Sequence, residues 1–353
     1  MTDLQPAPAD GGRRRFRFVT RRALLRLAVL FAVIALFLAW CSWTMLRMPG
    51  SSFAGPAPVL DPALDELASR LKRDVVHLGS EIGPRNTAYL SALRKSESYL
   101  RDRLAESGRP VQSMSFMTAD GTECTNFWIE YPATTAREEI IVVGAHYDSF
   151  ESSPGANDNG TGVAAVLALA DRLREEAPER RALRLALFVN EEPPYFQTDD
   201  MGSLRLARAW KAQGAAITAM ISLETIGCFH DEEDSQRYPI PLGGAYPTTG
   251  NFLGFVGPFG SRDLVRRSIA LFREHGRLPS EGAALPGFVP GISWSDHWAF
   301  AQQGWPAIMV TDTAPFRYAH YHEQTDMPQQ VDFRRLALVV EGMEQVIASL
   351  RRE

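Results

Sequence analysis

Cysteine is scarce in this chain, with three in 353 residues. Cys41, Cys124 and Cys228 are too few for a disulfide scaffold or a cysteine-rich zinc module. A basic excess is missing from most of the chain as well. Residues 1–51 hold eight Arg and two Asp, whereas the remainder holds 29 basic and 40 acidic residues. Such a body lacks the basic face that a nucleic-acid binder needs, so nucleic acid is excluded as a partner. No internal repeat or low-complexity tract is present. Apolar residues at 45% and charged residues at 22% exclude wholesale disorder.

Against that background one uncharged run stands out, the 20 residues Leu27 to Leu46. As a helix it spans roughly 30 Å, the thickness of a bilayer's hydrocarbon core. Seven Arg precede it, only Arg47 follows closely, and Trp40 and Trp43 lie near its outer end. The positive-inside bias predicts a basic cytoplasmic N-terminus over 1–22 and a single-pass transmembrane anchor over 23–47. A Pro-, Gly- and Ser-rich linker over 48–60 and one extracytoplasmic domain over 61–353, periplasmic or extracellular, follow. The rival is a cleaved signal, since Thr20-Arg21-Arg22-Ala23-Leu24-Leu25-Arg26 is similar to a twin-arginine export sequence. No small-x-small cleavage site follows cleanly, and Leu38-Ala39-Trp40-Cys41 makes a poor lipobox because Trp replaces the small residue before Cys. Either way the body is exported.

The body alternates helical and strand patterns. Asp61 can cap a helix that starts at Pro62 and carries Leu64, Leu67, Leu71, Val75 and Leu78 on one face. A second helix is predicted over 88–106. Strands are predicted at 139–143, 183–189, 219–223, 252–256 and 306–310, with helices at 163–174, 203–213, 261–275 and 333–350. This alternation predicts an α/β fold of three layers, with a largely parallel central sheet covered on both faces. Ligand sites in such sheets lie beyond the carboxyl ends of the strands.

Polar residues with ligand chemistry follow those strand ends. Gly144-Ala145-His146-Tyr147-Asp148 follows the first, Asn190-Glu191-Glu192 the second and Glu224 the third. A loop with His320 and His322 follows the last, and Gly155-Ala156-Asn157-Asp158-Asn159-Gly160 precedes a helix. Imidazole and carboxylate without thiolate suit zinc or a related first-row ion. In His146-x-Asp148 the second residue can accept from the ring of the first and set its tautomer. Glu191 and Glu192 offer one ligand and one unliganded base, provided the backbone leaves strand geometry there, since neighbouring strand residues point oppositely.

Those segments, with Ser222-Leu-Glu-Thr-Ile-Gly227, Ser295-Asp-His297 and Tyr321-His322, resemble the M28 family of zinc peptidases over roughly 75–345. The resemblance implies the zinc-dependent exopeptidase fold with a mixed sheet and two Zn2+ ions per chain. It implies His146 and Glu224 on one zinc, Glu192 and His322 on the other, and Asp158 bridging them. It also implies Glu191 as general base acting with a zinc-bound hydroxide, Asp148 orienting His146, and a cis peptide at Asp158–Asn159. Two departures stand out: the family often has Asp where Glu224 stands, and Pro193 to Asp200 is longer than the corresponding loop of many relatives.

The expected activity is an aminopeptidase acting on peptides with a free N-terminus. Alternatives are a single-zinc acyl transfer like that of glutaminyl cyclases, a non-catalytic ectodomain, or a carboxypeptidase gripping a substrate carboxylate with Arg205, Arg237 or Arg317. Cys124 and Cys228 are able to pair after export, and Asp231-Glu-Glu-Asp234 reads as solvated surface or as an attractor for a substrate ammonium.

Overall fold

A computed structural model describes residues 20–353 except 57, 136–138, 176 and 240–241. Most of the basic segment expected over 1–22 lies outside the described residues. The chain divides into two compact units, Met1–Thr44 and Met45–Glu353. In the first, helix α1 (Arg21–Met45) is long and apolar enough to cross a membrane by length and composition. Its 25 residues span about 38 Å at 1.5 Å each.

Early in the second unit lies the segment 48–60, whose described residues form no helix or strand. It is held rather than free. Met48 and Leu60 are buried in the core, the Arg273 guanidinium donates to Pro49 O (3.0 Å), and Ser52 Oγ accepts from Ser280 N (2.8 Å). Helix α2 (Pro62–Val76) then starts on Asp61, whose side chain accepts from Leu64 N at 2.9 Å. It continues into a π-helical stretch, His77–Ile82, and helix α3 (Leu90–Ala105) follows.

Among the described residues eight strands form one sheet: β1 (Gln112–Met117), β2 (Glu123–Tyr131), β3 (Glu139–His146), β4 (Ala182–Phe188), β5 (Ala216–Glu224), β6 (Leu253–Pro258), β7 (Ser280–Leu285) and β8 (Ala307–Thr311). Their spatial order is β1-β2-β4-β3-β5-β8-β6-β7. The central four, β4-β3-β5-β8, are mutually parallel. The joins β1–β2, β2–β4 and β8–β6 are antiparallel, so the sheet is mixed.

Strand alternation sorts side chains into two layers. Ile141, Val143 and Ala145 face a core shared with α2, α4 (Gly160–Arg172), α6 (Arg262–His275) and α9 (Phe333–Arg352). Ile140 and Val142 face the opposite core, shared with α5 (Gly202–Ala212) and α7 (His297–Ala301). Helix α8 (Ala314–Arg317) is a single short turn beyond β8.

Three strands were not anticipated. β1 alternates Gln, Ser and Met on an exposed edge, and β7 is rich in Ala and Gly, so neither carries the β-branched signature. β2 combines Thr, Asn, Phe and Trp without a clean period of two. All three lie toward the sheet's margins, where pairing with a neighbour, rather than local propensity, stabilises the extended chain.

Candidate metal centre

The central parallel strands deliver their last residues to one crevice. His146 ends β3 and Glu224 ends β5, and both are buried. β4 ends at Phe188, and Asn190 adopts a left-handed conformation (φ 60°) that takes the chain out of strand geometry before the Glu191–Glu192 pair. Asn tolerates this conformation better than most residues. Asp158 stands just before α4, and the Asp158–Asn159 peptide is cis. Gly155 (φ +61°) makes the turn before it, and a Cβ there would lie 2.5 Å from Asp158 O. His322 comes from the loop after α8.

Two groups of donor atoms share Asp158, and a third joins His146, Glu191 and Glu192. His146 Nε2 lies 3.5 Å from Asp158 Oδ1 and 3.3 Å from Glu224 Oε2. His322 Nε2 lies 3.2 Å from Asp158 Oδ2 and 3.3 Å from Glu192 Oε2. Within each group the donor atoms all lie within 4.8 Å of one another. Glu191 Oε2 sits alongside, 3.7 Å from His146 Nε2. Phe150 and Tyr321 stack on the His322 ring with centroids at 3.9 and 3.8 Å, which sets its plane.

Asp148 does more than the His-x-Asp spacing implies. Its carboxylate accepts from Glu191 N (Oδ1, 3.2 Å) and Glu192 N (Oδ2, 3.1 Å), so it anchors the backbone of the Glu pair. His146 is oriented through Asp148's main-chain carbonyl, 3.1 Å from Nδ1, and the carboxylate stands farther off at 3.6 Å. A carbonyl only accepts, so Nδ1 carries the hydrogen and Nε2 of the neutral ring presents its lone pair to the crevice.

The electrostatics of the cluster are one-sided: five buried carboxylates face two imidazoles. Burial alone would lower His146, but Glu224 and Glu191 outweigh it and hold the ring well above the ordinary histidine value. His322 is pushed up to about 10, burial again being outweighed, here by Asp158 and Glu192. Burial raises Asp158, yet the two imidazoles more than offset it and keep the carboxyl below its usual range. Glu191 is raised well above the carboxylate range, chiefly by burial, with Glu224 and Glu192 adding to it. Glu192 is raised to about 8, first by burial and then by Asp158. Asp158 Oδ2, Glu192 Oε1 and His322 Nε2 are buried without a hydrogen-bond partner. Unpaired donors and acceptors at such depth are costly, and a cation between them meets all three. The nitrogen-and-oxygen donor set, with the thiols elsewhere, fits a hydrolytic zinc.

Several supporting residues were not legible beforehand. Arg85 is fully buried and its guanidinium donates to Tyr147 O (2.7 Å), Pro154 O (2.5 Å) and Gly155 O (2.7 Å), tying down the segment between His146 and Asp158. Asp326 accepts from Asn157 N (2.8 Å), Asp158 N (3.0 Å) and the Tyr318 hydroxyl (2.6 Å). Asp312 accepts from Asn157 Nδ2 and the main chain of Gly227 and Cys228. Asp312 directly follows β8, so the strand-end rule was a usable signal for it; Arg85 and Asp326 offered none. Ser295 donates to Glu224 Oε2 at 2.7 Å, while His297 meets Ile292 O at 2.7 Å and is held down to about 4 by burial.

Other candidates are engaged elsewhere. Arg205 pairs with Asp200 (2.6 Å), and the buried Arg317 donates to the carbonyls of Gly250 and Phe252. Asp231 pairs with Arg335. Cys124 and Cys228 are unpaired, the first beside Asn190 and the second beside His230. The Pro193–Asp200 segment folds toward the β1–β2 turn, where Tyr195 donates to Asp120 Oδ2 (2.9 Å) and Asp200 Oδ2 accepts from Ala119 N (2.7 Å).

Residues 126–347 match the model of peptidase family M28. The chain belongs to this family. YfbL of Escherichia coli (strain K12), described as uncharacterized, is 32% identical over 326 residues, 89% of this chain and 97% of that protein. Among solved structures, the chain is similar to BSAP, a zinc aminopeptidase from Bacillus subtilis, with a TM-score of 0.64 at 15% identity over 81% of this chain and 95% of that one. It is also similar to Fimbriiglobus ruber glutaminyl cyclase, with a TM-score of 0.59 at 20% identity over 83% of this chain and 99% of that one. As an M28 member the protein is a metallopeptidase, and the mixed eight-stranded sheet is the family's fold.

Proposed function

We propose that this M28 metallopeptidase is a membrane-anchored aminopeptidase holding two zinc ions. The observation that carries the reading is the pair of donor groups, His146–Glu224 and Glu192–His322, joined by the single carboxylate of Asp158. A carboxylate with one oxygen toward each group is what two adjacent cations require. The bridged pair also favours this reading over a one-zinc acyl transfer, which the likeness to a glutaminyl cyclase keeps as the second reading.

Zinc bound here supplies Lewis-acid polarisation of the scissile carbonyl and lowers the pKa of a water to about 7. The chain's own groups do the remainder. Glu191 stands beside both donor groups and takes the attacking water's proton, then returns it to the leaving amine. Asp148 holds Glu191 in place through the main chain, and Phe150 and Tyr321 hold the His322 ring. Helix α1 anchors the enzyme with its N-terminus in the cytoplasm and the peptidase body outside, supported by the seven Arg before the apolar run.

Metal analysis paired with a panel of free and N-blocked aminoacyl substrates tests this. Two zinc per chain and cleavage of the free substrates alone are expected. One zinc per chain favours the acyl-transfer reading, and cleavage of blocked substrates removes the aminopeptidase reading. Glu191→Gln is expected to keep its zinc and lose 100-fold or more of turnover, the scale of a lost general base.

A further inference from the structure

A cleft runs from the metal centre across the sheet face that carries His146 and Glu224. Glu224 and Tyr321 stand at its mouth, and it holds about 810 Å3 of non-atom space, part of it open to solvent. Its floor follows from strand register. Glu224 of β5 pairs with Thr311 of β8, Thr311 with Gly254 of β6, and Gly254 with Glu281 of β7. Residues paired across a sheet share a face, so the row ends on a carboxylate three strand spacings from Glu224, about 14 Å away. Gly254 leaves the middle of the row low, since a Cβ there would already lie 3.3 Å from Thr311 O.

The walls are largely aromatic. The Tyr238 and Tyr246 rings stack with centroids at 5.6 Å. Their hydroxyls donate to Pro247 O (2.5 Å) and Gly282 O (2.8 Å). Glu281 is the charged group at the far wall. The cation beside it is Arg273, whose Nη2 lies 3.8 Å from Oε2, longer than a hydrogen bond. Arg273 belongs to α6, which packs on the other face of the sheet through Phe272 against Phe255. It reaches the edge strand by donating to Ser280 O (2.6 Å) and Ser280 Oγ (3.1 Å).

We infer that this cleft receives the side chain of the substrate's N-terminal residue, and that Glu281 selects long side chains ending in a cation, those of lysine and arginine. The inference rests on the aminopeptidase reading, which puts the substrate's α-carbon beside the metal centre at the cleft's mouth. A lysine side chain extends roughly 6 Å from its α-carbon as a flexible four-carbon stem with an ammonium tip. Its stem lies over Thr311 and Gly254 beside the stacked tyrosine rings; about 6 Å of lysine side chain, a hydrogen bond of about 3 Å and about 4 Å of the Glu281 side chain together cover the roughly 14 Å row, so the tip meets the Glu281 carboxylate. Burial raises the Glu281 carboxyl and Arg273 opposes that; a second cation favours the ionised form further. A leucine or phenylalanine side chain would instead dehydrate a carboxylate and give it no new partner, which is unfavourable.

The test uses the zinc-loaded full chain in detergent, with 4-nitroanilides of lysine, arginine, leucine and phenylalanine. Wild type is expected to favour lysine or arginine over leucine at least tenfold in kcat/KM, and Glu281→Gln to reduce that ratio at least tenfold. A wild-type preference for leucine or phenylalanine, or a ratio unmoved by Glu281→Gln, overturns the inference. Calorimetric binding of L-lysinamide and L-norleucinamide, which differ at the cationic tip, provides a readout independent of turnover. Lysinamide is expected to bind at least tenfold tighter to wild type and to lose that advantage in Glu281→Gln; equal binding to wild type overturns the inference. Should no anilide be cleaved, the aminopeptidase reading fails on its own and the two amides still decide the role of Glu281.

Discussion

Asp148→Asn removes one charge and changes almost no volume, so its effect isolates what the carboxylate does. In the native site two main-chain N–H groups, from Glu191 and Glu192, each donate to one Asp148 oxygen at 3.2 and 3.1 Å. Hydrogen bonds to a buried charged acceptor contribute about 1.5–3 kcal/mol each. An asparagine keeps one acceptor but turns an NH2 toward the other N–H, leaving that donor unsatisfied at about 1–3 kcal/mol and weakening the surviving bond to neutral strength. The sum is about 2–4 kcal/mol, a factor of roughly 30 to 1,000 in an equilibrium constant. It falls on the backbone that carries both glutamates, so it is divided between fold stability and metal affinity. The main-chain carbonyl that orients His146 is unchanged by the substitution. Zinc affinity, measured by competition with a chelator, is expected to fall at least tenfold, and kcat/KM with it. Affinity and kcat/KM both within threefold of wild type, with an unchanged melting temperature, would refute the anchoring role.

Arg85→Met strips three buried carbonyls of their donor while relieving the burial of a guanidinium. A net loss of about 3–5 kcal/mol is expected, read as a melting temperature lower by at least about 5 °C; an unchanged melting curve would show that the loop from Tyr147 to Gly155 holds itself. His322→Ala is expected to lower the zinc content per chain, since it removes a donor from one group only; an unchanged content takes His322 out of the site. Zinc binding requires the proton held by Glu192, raised to about 8, and by His322, raised to about 10, to leave. With two protons displaced, apparent zinc affinity is therefore expected to rise by up to about a hundredfold per pH unit between about 6 and 8, with proton release detected by calorimetry in two buffers. An affinity flat across that range contradicts the protonation reading.

The positions of the residues proposed to bear the chemistry were legible for a simple reason. Parallel strands covered by helices must present their carboxyl ends to one side, so His146, Glu191, Glu192 and Glu224 were placed by the positions of apolar runs alone. Asp158 and His322 lie off the strands; a predicted helix start and the end of the last strand brought them into view, and motif resemblance then singled out His322 over His320. The use of Asp148's carboxylate was different. The i, i+2 spacing pointed to the imidazole, while the contact that matters reaches 43 and 44 residues away to the main chain of the Glu pair. Arg85 was invisible for a related reason: a lone arginine after Gly83-Pro84 looks like surface until its carbonyl partners, 62 to 70 residues on, close around it.

By itself, then, the order of residues determined the apolar N-terminal helix, the alternation of helices with the central strands, and the family to which the domain belongs. These depend on local periodicity and short motifs, which fold in their own neighbourhood. The marginal strands β1, β2 and β7, the anchoring of the Glu pair and the row from Glu224 to Glu281 were decided only in three dimensions. Each depends on strand register and on hydrogen bonds between distant segments, and no window along the chain contains both partners.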